Sequence, residues 1–376
     1  MPDKFKSFNP VEKTLMGPGP SDVSPRVLAA QGQATIGHLD PQFVSLMDEI
    51  KDLLRYAFRT KNDVTFPVSA PGSAGMETCI VNLVEPGDKV IVCINGVFGG
   101  RMKENVERAG GIAVVFEDEW GKPVSVGKVE ETLKANPDAV ALGFVHSETS
   151  TGVRSDAEAL CALAREHGCL TIVDAVTTLG GIPLEVDGWG IDAIYSGSQK
   201  CLSAPPGLSP VSFSAKALEK VRNRKAKVQS WFLDLNLVLG YWDGDGGRAY
   251  HHTAPVNAMY GLHESLVILH EEGIEKSWER HQRVHQQLHQ GLGELGIEYL
   301  VDTPYRLPQL NSVLIPDHLQ AREADIRKEL LTEHRLEIGA GLGALAGKVW
   351  RIGLMGHSAR EENVTKCLEA MKAAMR

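Results

Sequence analysis

Seven short apolar segments alternate with stretches of helical spacing over the first two thirds of the chain. The apolar segments are 64–69, 89–94, 112–116, 139–145, 170–174, 191–195 and 209–213. Apolar residues at helical spacing lie between several of them, for example in 75–84, 99–109, 126–134 and 155–167. Strands that alternate with helices build a mostly parallel sheet with helices on both faces. The pattern therefore predicts an α/β fold.

The pattern changes after about residue 255. A long helical region continues to Leu292, and short strands and further helices follow it. We predict an extended N-terminal arm over 1–20, a large domain over 21–255, and a smaller α+β domain over 256–376 that begins with a long connecting helix. With 376 residues, of which 43% are hydrophobic, the chain is long enough to bury more than one core.

Composition excludes several classes of function. The net charge of −9 argues against nucleic acid as a main partner, and the basic run 222–227 is better explained as a solvated helix end than as a nucleic-acid patch. The six cysteines form no CxxC pair, which favours reduced thiols and a cytoplasmic location. No apolar stretch approaches 18 residues, and the first ten residues contain no apolar run. We therefore expect neither secretion nor a membrane span.

A lysine and an aspartate follow two of the predicted strands. Lys200 ends the polar turn Tyr-Ser-Gly-Ser-Gln-Lys after one strand, and Asp174 closes the strand before it. A lysine in such a turn is otherwise most often a surface residue. Together, however, the lysine can form a Schiff base with pyridoxal 5′-phosphate (PLP), and the aspartate can keep the pyridinium nitrogen of PLP protonated. The pair predicts PLP as the cofactor.

A glycine- and serine-rich loop, 69–75, follows the first of these strands and opens a helix. Small residues let the backbone approach a phosphate, and free N–H groups at a helix start can bind it. Such a loop alone is more often an ordinary turn, but its place before Asp174 and Lys200 favours a phosphate site. Gln199, beside the lysine, could donate to the same phosphate.

Three further residues have a functional and a structural interpretation. Phe98 could stack on a pyridine ring or could be a core aromatic, and Thr149 could contact the ring hydroxyl or could belong to a helix N-cap. Arg351, within a predicted strand, could bind a carboxylate or form a structural ion pair. The pair His251 and His252 suggests a metal, but no third ligand follows at a suitable spacing, so we expect no metal site.

These motifs resemble the alanine–glyoxylate aminotransferases, a family that overlaps the serine–glyoxylate and serine–pyruvate enzymes among the class V aminotransferases of PLP fold type I. The resemblance spans almost the whole chain. It is carried by Gly17–Pro20, Glu148–Val153, Val173–Gly181, Tyr195–Lys200, Ala204–Gly207, Tyr250–Thr253 and Arg351–Gly356.

The resemblance implies PLP fold type I, a large domain with a mostly parallel sheet and a smaller α+β domain, in a homodimer with its active sites at the interface. Lys200 would be the Schiff-base lysine and the catalytic residue. The cofactor would be held by Gly72, Ser73, Phe98, Thr149, Asp174, Val176, Gln199 and Lys200. Tyr250 and Thr253 would reach the phosphate from the other subunit.

The resemblance also implies the substrates, an amino acid and a 2-oxo acid. Arg351 would bind their carboxylate, and a floor that includes Gly19 and His38 would suit a small donor such as L-alanine, with glyoxylate as the acceptor in a ping-pong reaction. Serine is an alternative donor, which His38 could favour, and ureidoglycine is a more distant one. Rivals of another class are a PLP-dependent lyase of the cysteine desulfurase type, for which no cysteine is obviously placed, and a binding protein without activity.

Three positions depart from the pattern of some family members. Phe98 replaces a tryptophan, which reduces the stacking area, and Ser73 replaces a histidine at the phosphate. Pro71 removes one backbone donor from the phosphate loop.

Overall fold

The computed structural model describes residues 5–243 and 248–376. Its strands are, in chain order, β1 (Thr14–Leu15), β2 (Val64–Val68), β3 (Lys89–Ile94), β4 (Ile112–Glu117), β5 (Ala139–Val145), β6 (Ser147–Glu148), β7 (Val153–Arg154), β8 (Leu170–Asp174), β9 (Ala193–Tyr195), β10 (Ser209–Phe213), β11 (Leu310–Leu314), β12 (Leu336–Glu337), β13 (Gly339–Ala340) and β14 (Val349–Gly353).

Helices lie between most of these strands. They are α1 (Pro25–Gln31), α2 (Pro41–Phe58), α3 (Gly72–Leu83), α4 (Val97–Arg108), α5 (Val126–Ala135), α6 (Ala157–Glu166), α7 (Val186–Trp189), α8 (Ala215–Arg222), α9 (Leu235–Trp242), α10 (Val256–Glu272), α11 (Ile274–Glu294), α12 (Glu323–Thr332) and α13 (Glu361–Ala374).

The largest sheet has seven strands in the order β2-β10-β9-β8-β5-β3-β4. Only β10 runs antiparallel to its neighbours, and the remaining strands are parallel to one another. The predicted α/β class with a mostly parallel sheet is therefore confirmed. Because β2, β3, β5, β8 and β9 point the same way, the loops that follow them meet at one edge of the sheet.

Burial explains why the central strands are uniformly apolar. Every residue of β8 is buried, as expected for a parallel strand whose two faces are both covered by helices. The amphipathic helix α2 begins at Pro41, and its N-cap Asp40 accepts a hydrogen bond from the N–H of Gln42 at 2.8 Å. Its buried apolar residues recur at helical spacing and include Phe43, Met47, Ile50 and Leu54.

A second hydrophobic core is built mainly by residues after 284, with the sheet β11-β14-β13 and helices α11, α12 and α13 around it. The N-terminal segment joins this core, because β1 pairs in parallel with β12 and Met16 is fully buried there. Residues 1–4 of the predicted arm lie outside the described residues. The division into an arm and two domains at 20 and 255 stays a prediction.

The long helix predicted beyond residue 255 is divided in two. Helix α10 ends at Glu272, α11 begins at Ile274, and Gly273 between them has φ 88° and ψ 131°. Helix α10 packs in the first core, whereas α11 contributes Val284 and Leu288 to the second. The helical spacing of the sequence runs through this glycine, so the spacing alone does not mark the break.

Other features expected from composition have a definite place in the structure. All six cysteines are buried and unpaired. Within the described residues, no helix is both long and apolar enough to cross a membrane. In the basic run, α8 ends at Arg222, and Arg224 Nη1 donates to the carbonyl oxygens of Asn82 and Val84, each at 2.9 Å.

We expect Gly273→Ala to lower the free energy of unfolding by about 1–3 kcal/mol, because a side chain disfavours a backbone with positive φ. Urea unfolding at one fixed protein concentration measures the change. The matched control is Gly293→Ala on the exposed surface of α11, where a methyl group meets open space and should raise stability by about 0.5–1 kcal/mol. Equal effects of both substitutions would contradict this account of the break.

Candidate active site

A cavity of about 220 Å³ opens where the loops after the parallel strands meet. It is lined by Pro71, Gly72, Ser73, Met76, Phe98, Arg101, Asp174, Val176, Tyr195, Gln199 and Lys200. Seven of the residues predicted to bind a cofactor thus share one cavity, although they are spread over almost 130 positions of the chain. The parallel strand directions bring them together.

Asp174 is held at the end of β8 by two hydrogen bonds. Its Oδ1 accepts from the N–H of Val176 at 2.9 Å, and its Oδ2 accepts from the hydroxyl of Tyr195 at 2.8 Å. Burial raises the pKa of Asp174 to about 7, against these hydrogen bonds, which lower it. A cation bound in the cavity would favour the ionised carboxylate, so the site suits a protonated ring nitrogen.

Lys200 is 8% exposed, and its Nζ donates to the carbonyl oxygen of Pro18. Burial, and to a smaller extent the charge of Arg351, lowers the pKa of Lys200 to about 8. The next residue of the N-terminal segment, Gly19, leaves no space for a side chain, because a Cβ there would lie 2.5 Å from Lys200 Nζ. The lysine is therefore close to the neutral, nucleophilic form at mild pH.

The other end of the cavity suits a phosphate. Helix α3 begins at Gly72, and its N-cap Pro71 has no side chain that could satisfy the first N–H groups of the helix. These N–H groups and the helix dipole favour an anion. Gln199 lines the cavity nearby, and the NH₂ group of its side chain could donate to a phosphate. The predicted phosphate loop thus has the geometry of an anion site. Pro71, which has no N–H group, precedes the N–H groups at the start of α3 that would bind the anion.

Phe98 and Val176 are half-buried, and both line the cavity. The guanidinium carbon of Arg101 lies 4.8 Å from the centroid of the Phe98 ring, a cation–π contact. An aromatic ring on α4 and a branched side chain after β8 are suitable neighbours for a flat pyridine ring. The core-aromatic interpretation of Phe98 does not account for its place on the cavity wall.

Arg351, on β14 of the second core, reaches back to the first. It is 5% exposed, its Nε donates to Ala340 O at 2.8 Å, and its Nη1 donates to Thr149 O at 3.1 Å. No carboxylate of residues 5–243 or 248–376 forms an ion pair with it. Burial lowers the pKa of Arg351 to about 10. A buried guanidinium that lacks a counter-ion can bind a substrate carboxylate.

Six predicted site residues are not among those that line the cavity in the part of the chain that the structure describes: Gly19, His38, Thr149, Tyr250, Thr253 and Arg351. Gly19 lies next to Lys200, and Arg351 lies on β14. Thr149 is buried behind the cavity, with its Oγ1 2.5 Å from that of Thr177. Tyr250 is 65% exposed and Thr253 is exposed, and the half-buried ring of His38 lies 5.4 Å from that of Tyr250. Their roles stay predictions.

The paired histidines contact protein groups. His251 Nδ1 lies 2.8 Å from His252 Nδ1, and His252 Nε2 lies 2.7 Å from the hydroxyl of Ser69, which precedes the phosphate loop. Burial lowers the pKa of His252 to about 4, so this imidazole is neutral. The chain of contacts from His251 through His252 to Ser69 gives the motif a structural explanation.

Sequence reasoning missed three residues at this site, Tyr195, Arg101 and Glu148. Tyr195 opens the motif that ends in Lys200, and its partner across the strands is Asp174, so strand order would have revealed the contact. Arg101 lies three positions after Phe98, almost one helical turn along α4. Glu148 accepts hydrogen bonds from Phe98 N at 3.2 Å and from Ser150 N at 3.0 Å.

Comparison with known proteins gives consistent matches along the chain. The family model described as Aminotransferase class-V matches residues 26–364. Alanine–glyoxylate aminotransferase of Oryctolagus cuniculus is 43% identical over 365 residues, which cover 96% of this chain and 92% of that protein. (S)-ureidoglycine–glyoxylate transaminase of Bacillus subtilis is 35% identical over 384 residues, covering 96% of this chain and 90% of that protein.

A solved structure agrees with the fold. The crystal structure of alanine–glyoxylate aminotransferase from Nostoc sp. has a TM-score of 0.96 and 43% sequence identity, and the match covers 99% of this chain and 98% of that one.

The rate at which PLP is incorporated into the cofactor-free protein should rise with pH and level off above about 8. The neutral amine is the form that attacks an aldehyde, and burial lowers the pKa of Lys200 to about 8. An exposed lysine would give a rate that still climbs towards a pKa of about 10.4. Stopped-flow absorbance over a pH series measures the rate, and Lys200→Ala is the control that should lack this phase. A rate that keeps climbing well above pH 8 would contradict the lowered pKa.

Proposed function

Because the chain belongs to the class V aminotransferase family, we propose that it transfers the amino group of L-alanine to glyoxylate, giving pyruvate and glycine. The observation that carries the proposal is a buried lysine and a buried aspartate in one cavity, together with an arginine that forms no ion pair within residues 5–243 and 248–376. The 43% identity to two alanine–glyoxylate aminotransferases over almost the whole chain supports these substrates.

The residues of the cavity fit PLP. The hydrogen-bonded carboxyl of Asp174 suits the ring nitrogen, Phe98 and Val176 suit the ring faces, and the start of α3 with Gln199 suits the phosphate. When bound, PLP supplies an electron-withdrawing ring that stabilises negative charge at the α-carbon of the substrate. A metal has no part in this proposal.

Lys200 is proposed as the group that moves the proton. Its Nζ would act first as a base that removes the α-proton of the amino donor and then as an acid that returns this proton two atoms along, a 1,3-shift. The pKa of about 8 that burial gives Lys200 suits both roles near neutral pH. Burial also keeps water away from the reacting carbon, because Pro18 and Gly19 lie over the lysine.

Arg351 is proposed to bind the carboxylate of each substrate. Its Nε and one N–H of Nη1 already donate to backbone carbonyls, which fixes the plane of the guanidinium and leaves Nη2 for a ligand. Alanine and glyoxylate are both small molecules, and each carries one carboxylate next to the carbon that reacts. Gly19, which adds no side chain beside Lys200, is proposed as part of the floor of a site for such small substrates.

We propose in addition that two copies of the chain share their active sites. Tyr250 and Thr253 are exposed, and Trp231, whose ring stacks on His251 at 4.5 Å, is 63% exposed. Large aromatic side chains exposed together suit a protein interface. In this homodimer, Tyr250 and Thr253 would donate to the phosphate bound by the partner.

A cytoplasmic location is proposed from the cysteines. All six are buried and unpaired, and burial raises the pKa of the Cys79 thiol and of the Cys93 thiol well above their usual range. Buried, protonated thiols suit a reducing compartment.

Serine and ureidoglycine are the alternative amino donors. The (S)-ureidoglycine–glyoxylate transaminase of Bacillus subtilis covers 96% of this chain at 35% identity, so ureidoglycine is a reasonable second candidate. His38 is half-buried, and its Nε2 has no hydrogen-bond partner among the residues that the structure describes, so it could favour a donor with a hydroxyl group.

The test is a half-reaction screen of the PLP-loaded protein with alanine, serine, glycine and ureidoglycine. The spectral change of the bound cofactor gives a rate for each donor, and we expect alanine to react fastest. Glyoxylate should then restore the starting spectrum. Lys200→Ala should lose nearly all turnover in every case. A faster reaction with ureidoglycine or serine would replace alanine as the donor, and release of sulfide from cysteine would indicate a lyase.

Arg351→Ala should raise KM for both alanine and glyoxylate by about a hundredfold, because the loss of one partner from a buried charge pair costs about 3 kcal/mol. Steady-state kinetics with each substrate varied in turn measures the effect. Arg283→Ala is the matched control, since Arg283 forms an ion pair at the surface and is 61% exposed. An unchanged KM for either substrate would exclude Arg351 as its carboxylate site.

A further inference from the structure

We propose that Glu148 is a positioning residue. Through the turn that it begins, Glu148 fixes the positions of Phe98 and Arg351 relative to each other. Glu148 is fully buried, is the last residue of β6 and begins the turn Glu148–Gly152, which is closed by a hydrogen bond from Gly152 N to Glu148 O at 2.8 Å. It contacts the helix that carries Phe98, and the residue after it contacts Arg351. The inference rests on the proposed function, in which Phe98 faces the cofactor and Arg351 the substrate.

The carboxylate of Glu148 accepts several hydrogen bonds. Its Oε1 accepts from Ser150 N at 3.0 Å and from Ser150 Oγ at 2.6 Å, and its Oε2 accepts from Phe98 N at 3.2 Å. The N–H of Gly99 also stabilises its negative charge. Burial nevertheless raises the pKa of Glu148 above its usual range. All these partners are donors, so the site suits a carboxylate and not an amide.

The turn caps the helix that carries Phe98. Helix α4 begins at Val97, whose N–H donates to Ser150 Oγ at 3.0 Å, and the N–H of Phe98 donates to Glu148. Gly96, at the N-cap, has no side chain that could do so, and a Cβ there would overlap the Glu148 side chain. The first N–H groups of α4 thus depend on Glu148 and Ser150, which fix the position of the Phe98 backbone.

The same turn holds the arginine. The carbonyl oxygen of Thr149, between Glu148 and Ser150, accepts from Arg351 Nη1 at 3.1 Å. Glu148 does not form an ion pair with Arg351, but its negative charge raises the pKa of Arg351 against the effect of burial. Glu148 therefore acts as a counter-charge at a distance. It stabilises the guanidinium and leaves its free N–H groups available to a ligand carboxylate.

A role limited to stability would predict a different outcome from a positioning role. In Glu148→Gln the amide can accept at one atom only, and its NH₂ group faces the N–H and hydroxyl donors of the site. The charge near Arg351 is lost at the same time. Both the cofactor and the carboxylate substrates should then bind more weakly, because α4 and the guanidinium lose their common support.

The experiment compares Glu148→Gln, Glu148→Asp and the control Glu104→Gln, which lies on the exposed side of α4 and pairs with Arg108. The measurements are the dissociation constant of PLP for each cofactor-free protein, the visible circular dichroism of the bound cofactor, kcat and KM for alanine and glyoxylate, and the thermal midpoint. For Glu148→Gln we expect about tenfold weaker PLP binding, altered circular dichroism and a KM about tenfold higher for both substrates. Glu148→Asp should recover part of each effect, and Glu104→Gln should resemble wild type.

The proposal would be overturned if the PLP dissociation constant and the KM values of Glu148→Gln were within about twofold of those of wild type. A lower thermal midpoint with unchanged circular dichroism and KM would do the same, since it would show a purely structural role. If Glu148→Gln does not fold, Ser150→Ala takes its place, because it removes one donor and the cap of Val97 but keeps the charge. It should shift PLP binding in the same direction, and no shift would count against the proposal. The PLP and circular dichroism measurements do not depend on which amino donor reacts, so they remain decisive even if alanine fails as the donor.

Discussion

The burial of four ionisable side chains governs the electrostatics of this site. Asp174 and Glu148 are acidic, Lys200 and Arg351 are basic, and all four are at least nine-tenths buried. Burial raises the pKa of the two acids and lowers that of the two bases, so each group lies closer to its neutral form than it would in water. Such a set can persist only where backbone donors and acceptors replace water.

The fold supplies those donors and acceptors from the ends of parallel strands. Asp174 is the last residue of β8, Glu148 is the last residue of β6, which follows β5, and Lys200 lies in the loop after β9. Strand β14 of the second core brings Arg351 to the same place. Each charged group is held by at least one backbone atom: Val176 N, Phe98 N, Pro18 O or Thr149 O. These contacts join both hydrophobic cores and the N-terminal segment, so the site depends on the whole chain.

The sequence predicts the sheet and much of the cavity, because apolar runs and the polar residues that end them are local signals. Asp174 and Lys200 could be assigned for that reason. The break at Gly273 could not, since a single glycine within helical spacing is compatible with a continuous helix. Tyr195 and Glu148 were missed because their roles depend on which strands are neighbours. The predicted roles of His38, Tyr250 and Thr253 concern residues that are half-buried or exposed on the surface of a single chain.

The pairing of β1 with β12 has a mechanical consequence. Met16 is buried in the second core, whereas the N–H of Ser21 donates to Gln199 O at 3.0 Å in the first. The four residues between them, Gly17–Pro20, contain two prolines with restricted φ and form a short tether across the lysine. Any rotation of the second core relative to the first must pull on this tether. Pro18 and Gly19, which lie over Lys200, would then shift together with the guanidinium of Arg351.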